Sequence, residues 1–322
     1  MLLPGGWPAL IGLYSVKTKA LRADLLLLMV SAIWGFAFVA QIKGMEHLGP
    51  FLFNACRFAL GFLSLLPVYF LLEAFSAKKN GKKESGVESV KKYDNHLLLK
   101  WGPITGIVLF LASSFQQVGL LYTTAGNSGF ITGFYIILVP ILGICFGHST
   151  RPVTWLGGAI ALAGLYFLTV NDGLSLNKGD LLTLGSALMY AIQILLIGWL
   201  SRHVHPLRLS LTQFFMTALC SLLVALYLEP ISLDAITQSV GPLLFAGVLS
   251  TGVAFTIQII AQQDAASSHA AIIMSLEAVF AVFGGWLLLD EQLGSRGVVG
   301  CALMMAGMLL SQLRRPRGRS TA

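Results

Sequence analysis

The stretch DLLLLMVSAIWGFAFVAQI, residues 24–42, carries no charge after its first residue and is long enough to cross a bilayer as one helix. A span needs about 20 mostly apolar residues to cover roughly 30 Å of hydrocarbon. Comparable runs follow at 50–72, 99–121, 125–147 and 153–170, and again at 180–201, 206–228, 240–262, 266–289 and 296–313. Composition points the same way: of 322 residues 56% are hydrophobic and 11% charged, against roughly 25% charged in an average soluble domain. An ordinary soluble enzyme is excluded. The expected fold is an all-α membrane protein of ten transmembrane helices, with the lipid bilayer as its surroundings.

The net charge of +7 does not imply a nucleic-acid partner, because Lys and Arg lie in loops and tails and form no basic stripe. Short cytoplasmic loops carry the positive excess. Counting alternate loops puts 17 of the 21 basic residues on one side, against Lys43, Lys178 and Arg296 on the other, with Arg57 inside a span. Both termini are therefore expected in the cytoplasm of a multi-pass protein of the cell's inner (plasma) membrane. Residues 1–22 are expected as a cytoplasmic tail broken by Pro4, Gly5, Gly6 and Pro8, and 314–322 as a basic tail. The lysine-rich 73–98 region cannot offset the entropy of ordering by burial and is expected as a mobile cytoplasmic loop.

The chain repeats itself. Asp24-Leu25-Leu26 is echoed by Asp180-Leu181-Leu182, and Ser31-Ala32 by Ser186-Ala187, at offsets of 156 and 155 residues. Further on, Tyr122–Ser128 aligns with Gln263–His269 and Ala163-Gly164 with Ala306-Gly307, at offsets of 141 and 143. The lysine-rich loop of the first half accounts for the drop. Two halves, 23–171 and 172–313, of five spans each would enter the membrane in opposite senses, which is the inverted repeat found in many secondary transporters.

In order along the chain, SAIWGFAFV (31–39), Gly49-Pro50 leading into Asn54–Phe58, Tyr122–Gly133, AASSHAAIIMSLEAVFAVFGG (265–285), Leu289–Leu293 and Gly300–Gly307 resemble the drug/metabolite transporter superfamily, and within it the EamA-type carriers of ten helices. The resemblance covers nearly the whole chain. It implies a carrier whose pathway runs between spans 1–4 and 6–9, with spans 5 and 10 at the periphery. The sequence departs in having Ala278 where many members carry proline, so the helix kink that the proline would cause is not carried over from the resemblance.

Arg57 and Glu277 stand inside spans, where a charge costs about 2.5–3.5 kcal/mol, so each faces protein or water. Arg57 fits either a structural bond to backbone or a place in the pathway. Glu277 fits either a structural carboxyl or a proton-coupling group, and Arg57 is the one cation that could pin it as an ion pair. The uncharged pathway candidates are Gln116, Ser128, Thr132, Tyr135, Gln258, Gln262 and Ser275. Ser128, Thr132 and Tyr135 share a helical face, as do Gln258 and Gln262. Some of these groups serve as interhelical glue, at about 0.6 kcal/mol each. Trp34 and Phe38 stack one turn apart, and Tyr190 and Gln193 hold comparable places in the second half. Small residues at Gly157, Ala161, Gly164, Gly300 and Gly307 allow close helix approach, as packing or as a homodimer contact.

The sequence has no GxxxxGK[ST] loop, HExxH, GxSxG or CxxC. No cofactor, metal or catalytic residue is expected, and the energy for transport must come from a gradient. The expected function is export of a small organic solute, an amino acid or related metabolite; a membrane-embedded enzyme or a channel are the competing classes. A topology reporter fused at residue 85 or at the C-terminus should read cytoplasmic, and a periplasmic reading at either would overturn the arrangement.

Overall fold

With no water in hydrocarbon to satisfy peptide groups, an apolar chain must bond its backbone internally, and helices do so within one segment. The computed structural model describes residues 7–80, 93–123, 125–145, 147, 150–169, 178–288 and 294–312, and its described elements are all helical. In order they are α1 (Trp7–Gly44), α2 (Pro50–Asn80), α3 (Asn95–Gly119), α4 (Ala125–Thr132), α5 (Tyr135–Cys145), α6 (Pro152–Thr169), α7 (Lys178–Leu200), α8 (Pro206–Leu228), α9 (Leu233–Gln238), α10 (Val240–Leu244), a π-helical segment (Phe245–Phe255), α11 (Thr256–Ala261), α12 (Ser267–Met274), α13 (Glu277–Leu288) and α14 (Ser295–Gln312). Eight stretches among the described residues are long and apolar enough to span a membrane. The apolar helices Pro152–Gly164 and Val298–Leu310 are shorter.

Element ends follow local chemistry. Pro50, Pro152 and Pro206 open α2, α6 and α8, where a missing N–H is harmless. Asp94 caps α3 by accepting from the N–H groups of His96 and Leu97 at 2.8 and 3.0 Å. Two expectations shift. Helix α1 begins at Trp7, so residues 7–22 are helical rather than a broken tail; Pro8 falls in the first turn, where it is tolerated. The 73–98 loop is narrower than expected, since α2 runs to Asn80 and α3 starts at Asn95. Residues 81–92, the 313–322 end and Leu289–Leu293 lie outside the described residues.

Helices far apart in the chain meet. Phe58 and Phe214, 156 residues apart, place their ring centroids 6.3 Å from each other. Helices α2 and α8 run antiparallel: Leu52 packs with Ala225 at one end, and Tyr69 accepts from Arg208 Nε at the other. Both ends are closed by a glutamate. Glu229, just beyond α8, accepts from the N–H groups of Phe51 and Leu52 at 2.9 and 2.7 Å, while Glu73 near the far end of α2 accepts from Arg208 at 2.5 Å.

Helices α6 and α14 also cross antiparallel and very closely. A Cβ built on Gly164 would stand 2.6 Å from the carbonyl oxygen of Gly300, and one on Gly307 would stand 2.5 Å from that of Gly157. These small residues are thus used for helix packing within one chain. Gly164→Ala should lower the thermal stability of the detergent-solubilised protein by about 1–3 kcal/mol, as overpacking does. Gly158→Ala, whose Cβ would meet nothing within 4 Å, should be neutral.

Candidate substrate cavity

The helix of the fourth apolar run breaks at Gly133-Phe134, and that of the ninth breaks at Ser275-Leu276, a break that occurs with Ala278 and no proline there. At both places the backbone tightens. Phe134 N–H bonds to Ile131 and Leu276 N–H to Ile273, so each break stays internally satisfied. The first residues after the breaks are Tyr135 and Glu277, 142 residues apart, and the Tyr135 hydroxyl donates to Glu277 Oε1 at 3.0 Å. Glu277 is 5% exposed and stands in the first turn of α13, where the helix dipole favours a carboxylate.

Around this pair lies a cavity walled by α1, α2, α3, α4, α5, α7, the π segment, α11 and α13. Its free volume of about 30 Å³ holds roughly two waters. The walls are bonded to one another. Gln116 donates to Thr132 Oγ1 at 3.2 Å and accepts from the Tyr190 hydroxyl at 3.4 Å. Gln193 and Gln258 exchange amide bonds at 3.3 and 3.5 Å, and the Trp34 indole donates to the Ser250 carbonyl at 3.2 Å.

Arg57, 2% exposed, enters the cavity from α2. Its Nη1 donates to Gln41 Oε1 at 2.9 Å and its Nε to Thr251 Oγ1 at 3.4 Å. The Thr251 hydroxyl in turn donates to the carbonyl of Ala246, five residues back, along the wide turn of the π segment. Arg57 forms no ion pair with Glu277; Tyr190 lines the same cavity as both.

Of the candidates named from sequence, Trp34, Phe38, Arg57, Gln116, Thr132, Tyr135, Tyr190, Gln193, Gln258 and Glu277 line this cavity. Three do not. The Ser275 hydroxyl bonds back to the Ile272 carbonyl at the helix break, Gln262 ties α11 to α7 through the Ile194 carbonyl at 3.0 Å, and Ser128 is buried with its hydroxyl unpartnered. Conversely Gln41, Ser250 and Phe255 line it and were not singled out. Gln41 had a readable signal, lying seven residues past Trp34 and three past Phe38 on one face. Ser250 and Phe255 had none, because π geometry rotates side chains off the α-helical register.

A bundle of apolar helices around a buried polar cavity defines a polytopic membrane protein with an internal site. Residues 21–170 and 177–313 match the EamA-like transporter family, and the chain belongs to that family as a membrane transporter. It is 33% identical to an uncharacterized transporter of Archaeoglobus fulgidus over 92% of this chain and 87% of the relative. It is also 24% identical to the uncharacterized transporter YoaV of Bacillus subtilis, over 88% of this chain and 94% of that one. The WAT1-related chloroplastic protein At3g02690 of Arabidopsis thaliana is 26% identical over 86% of this chain and 66% of its own length. A solved crystal structure shares the fold, with a TM-score of 0.72 at 17% identity, covering 93% of this chain and 99% of the other.

Thr251 links an arginine and a carbonyl, so removing its hydroxyl leaves both short of a partner. Thr251→Val should destabilise the folded protein by about 1–3 kcal/mol in thermal unfolding, whereas Thr251→Ser should restore most of the loss.

Proposed function

We propose that the protein is a secondary carrier that exports a small organic solute, an amino acid or related metabolite, by alternating access across the cell's inner membrane, with Glu277 exchanging the coupling proton. The observation that carries this reading is the set of contacts between equivalent residues. Phe58 meets Phe214, Tyr135 meets Glu277, and Gly157 and Gly164 cross Gly307 and Gly300. Equivalent helices that touch while running antiparallel call for a symmetry axis across the helices, and hence in the membrane plane. That favours ten helices in two inverted repeats, 23–171 and 172–313, a design that gives outward-open and inward-open states of similar energy around one central site.

The distribution of Lys and Arg supports cytoplasmic termini, and the family resemblance is what favours export over uptake. The polar cavity residues at the meeting point of the halves serve on this reading as the substrate pathway. Glu277 suits proton exchange because its partner is a phenol rather than a cation: losing or gaining its proton breaks no ion pair.

Flux of labelled amino acids in proteoliposomes, with and without an imposed pH gradient, tests the reading. Glu277→Gln keeps the size of the side chain and its bond to Tyr135, so the variant should fold and still exchange solute while losing acceleration by the gradient. Gradient dependence unchanged from the parent protein would leave Glu277 a structural carboxyl.

A further inference from the structure

A guanidinium inside a membrane protein is ordinarily neutralised by a carboxylate, since an unpaired buried charge loses its hydration with nothing in return. Arg57 is not. Both of its hydrogen-bond partners, Gln41 and Thr251, are neutral, and across the same cavity Glu277 is held by the neutral Tyr135. Among the described residues, the cavity therefore contains one cation and one carboxyl, each steadied by its own wall and neither neutralised by the other. The guanidinium keeps N–H donors beyond the two in use, in the fork geometry that suits a carboxylate bidentately. The aromatic wall of Trp34, Phe38 and Phe255 supplies an apolar flank beside it.

We propose that Arg57, presented by Gln41 and Thr251, is the seat for the carboxylate of the transported solute. This rests on the carrier reading above and narrows its substrate class to molecules bearing a single carboxylate, with an amine placed to reach Glu277. A phosphate monoester fits less well, because Arg57 is the only basic residue among the described residues lining the cavity and would face roughly two negative charges. Gln41 is a positioning residue: its amide oxygen fixes the guanidinium and makes no demand on the solute.

The test is counterflow in proteoliposomes with a panel of neutral L-amino acids, each beside its amide, which keeps the amine and side chain but lacks the carboxylate. The parent protein should prefer acids over amides by about tenfold or more, as charge-assisted hydrogen bonds do. Arg57→Gln should bring that ratio close to one, and Arg57→Lys, which keeps the charge and loses the fork, should fall between. Glu277→Gln should leave the acid preference in place. Should Arg57→Gln fail to fold, Arg57→Lys and the parent's own acid-to-amide ratio carry the test. Equal handling of acids and amides by the parent, or a folded Arg57→Gln variant that keeps the preference, would make Arg57 a structural strut and overturn the proposal while the carrier reading stands. A panel in which nothing exchanges is a different failure: it removes the amino-acid reading itself, and the proposal with it.

Discussion

A membrane interior offers no water to an interrupted helix, and that constraint decides where this protein can place its polar groups. Where the helices break, at Gly133-Phe134 and Ser275-Leu276, the neighbouring N–H groups turn to carbonyls three residues back, and the Ser275 hydroxyl takes the Ile272 carbonyl. The π segment does the same by another route, with Thr251 bonded to Ala246. Each irregularity is thus closed on itself and leaves side chains free to face inward. Tyr135 and Glu277 stand where they do because a helix restarts there, and Arg57 is held where it is because the π segment supplies Thr251.

The same contacts organise the two halves. Glu229 closes one end of the α2–α8 pair by capping backbone N–H groups, while Glu73, 156 residues earlier, closes the other by binding Arg208. Asp24 at the first half's opening contacts His269 at 2.9 Å, and Asp180, its counterpart, accepts from Thr123 at 2.8 Å. Equivalent acids thus meet different partners at the two ends. On the carrier reading this difference matters: the Glu73–Arg208 pair is an exposed ion pair that salt screens, whereas the Glu229 cap is bonded to backbone N–H groups, so the two ends of the α2–α8 pair respond unequally to salt.

Much of this was legible in the sequence, because charge in an apolar run is rare enough to read one residue at a time. Arg57 and Glu277 stood out by cost alone, and the aromatic pair Trp34 and Phe38 by spacing. What escaped was the part that depends on the partner helix. Gln41 shares the face of Trp34 and Phe38, but an amide near the end of an apolar run carries no cost that demands an explanation. Gln262 and Ser275 show the mirror case: their spacing is right, but each bonds a backbone carbonyl rather than lining the cavity. Ala278 shows the limit of the proline rule. The helix breaks beside it without proline, while Gly35 of α1 packs directly against the backbone at Glu277 and Ala281, where a larger residue would clash.

That Arg57 and Glu277 share a cavity without pairing is the feature hardest to explain as architecture. Joined, they would form a static ion pair, and since removing either partner of a buried pair is strongly unfavourable, the pair would lock the helices it joins. Kept apart, each charge is left to a visitor. On the proposed reading a zwitterion would bring the carboxylate that Arg57 lacks and an ammonium for Glu277, while a proton would satisfy Glu277 alone. Ammonium and proton would then compete for one carboxyl, a proton there weakening the solute's hold without abolishing it. Coupling of solute to proton would follow from that competition itself, without any contact between the two sites of binding beyond the shared carboxyl.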